Sequence, residues 1–218
     1  MGFPLLIVVA IVALVVGGVW YSNKLQKQRT AELAQVAQAM KFSFFEAGTP
    51  EIEARMSAFP LCNVGRSRRW RNVMAGKTAD RDAVLGEYEY VTGGGKNRHT
   101  WHQTVAVFPS GVGGLPDFTL APENFFHRIG QVFGYQDIDF EASEEFSKHY
   151  LLRGPDETAI RRAFNADAIS FFARSPGWSV QVCNGNIAVF RSDKRSKPAE
   201  VPAFLADALR IQDAFARG

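Results

Sequence analysis

The chain is poor in the residues that usually announce an activity. It has two cysteines, Cys62 and Cys183, in 218 residues. That excludes a disulfide-stapled scaffold and agrees with reduced thiols in a cytosolic setting. No serine sits in a Gly-x-Ser-x-Gly turn, and Cys62 runs into Asn-Val-Gly, so neither nucleophile has recognisable surroundings. Only four histidines occur. His99 and His102 are three apart, which on a strand puts them on opposite faces and makes no metal pair. His127 and His149 stand alone. The glycine run Gly93–Gly95 precedes Lys96, but Asn97 follows where a phosphate loop needs Ser or Thr opening a helix. Repeats of 20 to 50 residues and low-complexity runs are absent.

Charge is missing altogether from Gly2 to Tyr21, GFPLLIVVAIVALVVGGVWY. As a helix this stretch matches the hydrocarbon layer of roughly 30 Å. Twelve of its residues are Phe, Leu, Ile or Val, favouring insertion by about 4 to 7 kcal/mol. Nothing basic precedes the run, and it ends in Val-Trp-Tyr, unlike a cleaved signal peptide. Residues 1–22 are therefore expected to be a transmembrane anchor touching the bilayer through 2–21. Lys24, Lys27 and Arg29 follow the span directly, which predicts that the rest of the chain faces the cytosol. Ala13 and Gly17 form a small-xxx-small pair, the pattern of helix dimers, so a homodimer is one expectation.

Beyond the span the composition is that of a globular domain, with 46% hydrophobic and 22% charged residues, which excludes a disordered tail. Seventeen of the 18 phenylalanines lie there. Leu33, Val36, Ala37, Met40 and Phe44 recur at helical spacing, predicting a juxtamembrane stalk helix over 23–48. Pro50, Glu51 and Glu53 open a short helix ending near Pro60. From residue 70 the period changes to two, predicting strands over 71–77, 82–91 and 100–108, with a hairpin at 93–97. A strand-like piece near 115–118, a helix over 123–133 and strands over 137–140 and 146–152 follow. Asp156 caps a helix through Phe164, and Asn165 caps a further turn. Alternating segments 178–183 and 186–191 flank Asn184-Gly185, the preferred type I′ hairpin turn. A last helix starts near Pro198. Strands do not alternate regularly with helices, so the expected class is α+β, an antiparallel sheet packed by helices on one side, forming a cytosolic domain over 49–218.

Two constellations invite chemistry. Asp137, Asp139 and Glu141 share one face if 137–141 is a strand, and three convergent carboxylates suit Mg²⁺ or Ca²⁺. The alternative is a strand with one wet face. Arg66, Arg68, Arg69 and Arg71 surround Trp70, a set suited to anionic lipid headgroups and less to nucleic acid; its alternative is a solvated loop. Arg191, Lys194, Arg195 and Lys197 form a second basic group. Residues 23–110 carry 13 basic and 8 acidic groups, and residues 111–218 carry 12 and 14, so positive charge concentrates next to the span.

Three stretches, residues 72–108, 115–140 and 146–164, resemble a group of uncharacterised bacterial single-pass membrane proteins with a cytosolic domain. The resemblance implies a bacterial inner-membrane setting and one continuous domain, and carries no activity or cofactor. The meander and terminal helix are loosely similar to pleckstrin-homology-like folds. The function expected from all this is a membrane-tethered interaction or scaffold domain with a protein partner. Its alternatives are a metal-dependent hydrolase using Asp137, Asp139 and Glu141, or an anionic-lipid-sensing module.

Overall fold

The structure, a computed structural model, describes residues 3–78, 81–109, 114–123, 125–126, 137–140 and 143–216, and only the backbone of residues 3–9 and 216. It is α+β. Eight strands form one sheet in the order β1-β2-β3-β4-β8-β7-β5-β6, and every neighbouring pair is antiparallel. The strands are β1 Ser43–Ala47, β2 Arg66–Thr78, β3 Arg81–Thr92, β4 His99–Phe108, β5 Phe118–Ala121, β6 Leu151–Arg153, β7 Ser179–Cys183 and β8 Asn186–Phe190. The first four form a meander. The order then jumps, with β8 and β7 between β4 and β5 and β6 at the far edge.

The helices are α1 Phe3–Ala39, α2 Pro50–Met56, α3 Glu144–His149, α4 Glu157–Ala163, α5 Ala166–Arg174 and α6 Val201–Ala216. Alternation along each strand sends side chains into two cores. Leu85, Ala106, Phe108, Val180 and Val189 face the larger one with Leu33 and Ala37 of α1, Phe172 of α5 and Ile211 of α6. Trp70, Val73, Tyr88, Tyr90, Val105 and Phe190 face a second core. Met56, Phe59 and Leu61, together with Phe125 and Phe126, cover that side. The sheet is thus covered on both faces, not on one.

α1 is one unbroken helix, but it stops nine residues short of the expected end. Lys41 adopts φ 59°, Phe42 N–H donates to the Ala37 carbonyl at 2.8 Å, and Lys41 N–H donates to that of Gln38 at 3.0 Å. This is a Schellman ending, with lysine at the left-handed position where glycine is usual. Residues 43–47 then form β1 rather than a last helical turn. The expected strand over 146–152 is α3 followed by β6, with Ser143 capping α3 by accepting from Phe146 N–H. Residues 137–140 form no strand. Of the helix expected over 123–133, only Glu123, Phe125 and Phe126 are described, and they are helical.

Among the described residues, no helix is long and apolar enough to cross a membrane. The span expected over 2–21 lies partly outside them, since no side chain of residues 1–9 is described. From residue 10 to residue 28 the helix stands clear of the rest of the chain: Ile11, Val12, Leu14, Val15, Val16, Val19, Trp20 and Tyr21 are all exposed, Leu14 by 77%.

A left-handed residue other than glycine costs roughly 1 to 2 kcal/mol, partly offset in a glycine variant by the freer unfolded chain. Lys41→Gly should therefore stabilise the full chain by about 0.5 to 1 kcal/mol. Denaturant unfolding in detergent measures it; a loss of stability would show that Lys41 does not terminate α1 in this way.

Candidate functional site

Alternation places Arg69 and Arg71 of β2, Glu87 and Glu89 of β3, and His102 and Thr104 of β4 on one face of the meander. Registers Arg71↔Glu87, Arg69↔Glu89, Glu89↔His102 and Glu87↔Thr104 bring them side by side. Glu89 is ion-paired with Arg69 and, at 3.6 Å, with Arg71; His102 lies 3.7 Å away. Glu87 is buried and accepts from Arg29 Nε at 2.7 Å and from Asn72 Nδ2 at 2.7 Å. Arg195 Nε is 3.7 Å from the same carboxylate.

A bulge makes this arrangement possible. Between Arg71↔Glu87 and Met74↔Leu85, β2 has one residue more than β3. Asn72 takes the strained place, with φ 49°, a conformation asparagine tolerates better than most residues. Its amide is thereby turned onto Glu87.

The structure divides the basic cluster around Trp70. Trp70 is buried in the second core, 4.8 Å from the Tyr88 ring, because it has the opposite parity from Arg69 and Arg71. It is not available to a headgroup. Arg69 and Arg71 are held by Glu89. Arg68 donates to the Cys62 carbonyl at 2.9 Å. Among the described residues, Arg66, Arg68 and Arg98 have no carboxylate partner. Arg68, Arg69 and Arg98 line a groove of about 360 Å³ together with Ser67, Glu89, Val91 and Thr100. Arg98 and Thr100 escape a linear reading, since only the registers Arg66↔Val91 and Val91↔Thr100 together bring the start of β4 to the start of β2.

The second basic group lies along β4. Asp193 N–H donates to Gln103 Oε1, Thr104 N–H donates to the Lys194 carbonyl, and Ser196 N–H donates to Thr104 Oγ1. Arg191 stacks 4.2 Å over Trp178, and Lys197 is 3.7 Å from Glu200. The loop after β8 is fastened mainly through its backbone, while of its cations Arg195 faces Glu87 and Arg191 the Trp178 ring.

The carboxylates take other roles. Asp137 Oδ1 accepts from Leu152 N–H at 2.8 Å, and Ile138 N–H donates to the Leu152 carbonyl. Together they finish the outer edge of β6. Arg161 donates to the Asp139 backbone carbonyl at 2.7 Å. Glu141 lies outside the described residues. With no strand at 137–140, the shared face on which the metal reading relied is missing, and no cluster of three or more His, Cys, Asp or Glu occurs among the described residues. Burial pushes the Asp137 carboxyl above its ordinary range, Asp139 adds to this, and the Leu152 N–H opposes it. Burial also pushes the thiols of Cys62 and Cys183 up to about 12, which leaves both as protonated, weakly nucleophilic groups at neutral pH.

No family model and no curated protein matches the chain. Its fold is similar to the crystal structure of the mycobacterial trehalose monomycolate transport factor A, TtfA. The TM-score is 0.61, identity is 13%, and the match covers 86% of this chain and 92% of that one. At that identity the likeness is one of fold.

Two outcomes test the assignments. Glu87→Gln removes the charge that Arg29 and Arg195 share, and breaking a buried pair costs about 3 kcal/mol. Hydrogen exchange should show residues 22–39 losing protection ahead of α6; equal loss everywhere would mean that Glu87 does not dock α1. Asp137→Asn keeps the acceptor for Leu152 and removes a carboxylate that burial disfavours. The folded pKa of Asp137 is raised, so its ionisation opposes folding, and this penalty grows as pH rises from the usual carboxylate range through the folded value. The variant should be more stable than the parent at neutral pH and lose that advantage in acid. A melting point lower than the parent's at pH 7 would show that the carboxylate charge is needed.

Proposed function

We propose that the chain is a membrane-anchored interaction or scaffold domain of a bacterial inner membrane, with its sheet in the cytosol and no chemistry of its own. The observation that carries this reading is the continuity of α1. The same helix bears an exposed apolar segment at one end and is fastened to the sheet at the other, through Arg29 on Glu87 and the Ser196 carbonyl and through buried Leu33 and Ala37. An exposed apolar run of this length is costly in water and normal in lipid. Trp20 and Tyr21 stand at its end, where an interfacial belt belongs, with Lys24 Nζ 5.5 Å from the Trp20 ring.

The charge flank supports the proposed orientation. Lys24 and Lys27 are exposed just past the run, and basic residues stay on the cytoplasmic side. That a mycobacterial chain of the same fold is named a transport factor supports an accessory role beside a membrane process. Glu87 and Glu89 are engaged by Arg29, Arg69, Arg71 and Arg195, which ties the helix to the sheet as the reading requires. The partner this reading requires is a protein, with self-pairing through Ala13 and Gly17 as a further arrangement.

A reporter active only in the periplasm, fused after Gly218, should stay silent, and the chain should remain in membranes washed with alkaline carbonate. Leu14→Arg combined with Val16→Arg should release it, since each charge near a span centre costs roughly 3 kcal/mol. A strong periplasmic signal from intact fusion overturns the orientation, and extraction of the parent by carbonate overturns the anchor.

A further inference from the structure

The groove beside Arg68 and Arg98 lies at the same end of the sheet from which α1 departs. Two contacts set the direction of the helix. Arg29 meets Glu87 of β3. Phe42, just past the helix, lies against Gly76 of β2, where an added Cβ would come within 2.5 Å of its ring. Gly76 pairs with Ala83. Moving from Arg29 to Phe42 thus follows β3 from 87 back toward 83. The residues before Arg29 leave the other way, toward the end of the sheet that holds the hairpin tip, and residues 10–28 are exposed.

Lengths agree along both routes. Tyr21 is eight residues before Arg29, or about 12 Å of helix. Val91 is four residues beyond Glu87, or about 13 Å of strand. By these lengths the groove containing Val91 and Thr100 comes out at about the height of the aromatic end of the apolar segment, which is where headgroups lie if that segment is in the bilayer.

The charge of the groove is suited to an anion. Its one acid, Glu89, already faces Arg69, Arg71 and His102. Among the described residues Arg68 and Arg98 have no carboxylate partner; Arg68 Nη1 donates to the Cys62 carbonyl, and Ser67 and Thr100 belong to the same wall. Two guanidinium groups beside two hydroxyl-bearing residues suit the oxygens of a phosphodiester. A volume of about 360 Å³ admits a phosphate with a small polar headgroup. Bases would need an aromatic platform, and Trp70 is buried on the far side of the sheet.

We propose that this groove binds the phosphate of an anionic membrane lipid headgroup and so fixes the tilt of the sheet on the bilayer surface. This rests on the membrane-anchored reading given above. It retains Arg68 and Arg69 from the cluster around Trp70, adds Arg98, and assigns Trp70 to the core.

The test uses the full chain in a neutral detergent, with bound lipid counted by native mass spectrometry. Phosphatidylglycerol should be retained and phosphatidylcholine lost. A cation near an anionic surface is worth about fivefold in affinity, so Arg68→Ser with Arg98→Ser should weaken phosphatidylglycerol binding about thirtyfold. Arg98→Ser alone, on an exposed hairpin, should weaken it about fivefold without touching the fold. Arg210→Ser, an equal change of charge on α6, should leave binding as in the parent. Undiminished binding by the double variant overturns the site, as does equal retention of the two lipids. Tighter binding of inorganic phosphate or of a single-stranded oligonucleotide than of phosphatidylglycerol would assign the groove to a soluble anion or to nucleic acid instead. Carbonate extraction of the parent tests the anchor separately, so failure of the anchor and failure of the groove give different results.

Discussion

The carboxylate of Glu87 is buried in the sheet and receives groups from three remote parts of the chain. Arg29 comes from α1, Asn72 from the bulge in β2, and Arg195 from the loop after β8. A carboxylate in such a place is tolerable only when fully hydrogen-bonded and paired. The bulge, the docking of α1 and the path of residues 191–197 therefore satisfy one electrostatic requirement together. Without Asn72 in its left-handed conformation, one oxygen of Glu87 would lose its donor. Without Arg29, α1 would keep only the apolar contacts of Leu33, Ala37 and their neighbours on the sheet.

The same network carries more positive than negative charge. Four guanidinium groups, those of Arg29, Arg69, Arg71 and Arg195, gather around two carboxylates, Glu87 and Glu89. Burial lowers the pKa of Arg195; Glu87 opposes the shift and Arg29 adds to it. Its guanidinium still remains charged at any physiological pH. The excess charge lies toward the end of the sheet where α1 leaves, and Arg66, Arg68 and Arg98 extend it outward. Structural pairing and surface attraction are thus parts of one gradient of charge, buried and compensated near Glu87, exposed and uncompensated near the hairpin tip.

Much of this was legible in the order of residues, and the failures have physical causes. The β7–β8 hairpin was plain because Asn184 and Gly185 both accept positive φ, 51° and 73°, as a type I′ turn demands. Asp156 and Asn165 cap α4 and α5 as expected. The end of α1 was hidden because Lys41 occupies a place where glycine would have signalled it, and because Phe44 continues a helical spacing from Met40 by coincidence. β2 begins at Arg66 and not near Arg71, since a run of arginines resembles a loop until Glu89 is set opposite. The pairing of β8 with β4 is a long-range choice with no local mark. Likewise the carboxylates at 137 and 139 were read as a strand face, whereas Asp137 serves as a side-chain partner for the open edge of β6.

That edge and its counterpart are treated differently. Residues 137–138 finish β6, but among the described residues no strand adjoins the outer side of β1, where Phe45 is 36% exposed. An open edge is a template for another strand, and its five-residue length limits indiscriminate pairing. Two copies joined antiparallel through β1 would be related by an axis perpendicular to the sheet. Such an axis reverses every direction in the plane of the sheet, so it would send the two apolar segments in opposite directions. One flat bilayer does not accept both. A chain anchored as proposed is therefore kept by its own geometry from pairing β1 antiparallel with a second copy, while the edge remains open to an extended segment of a different protein.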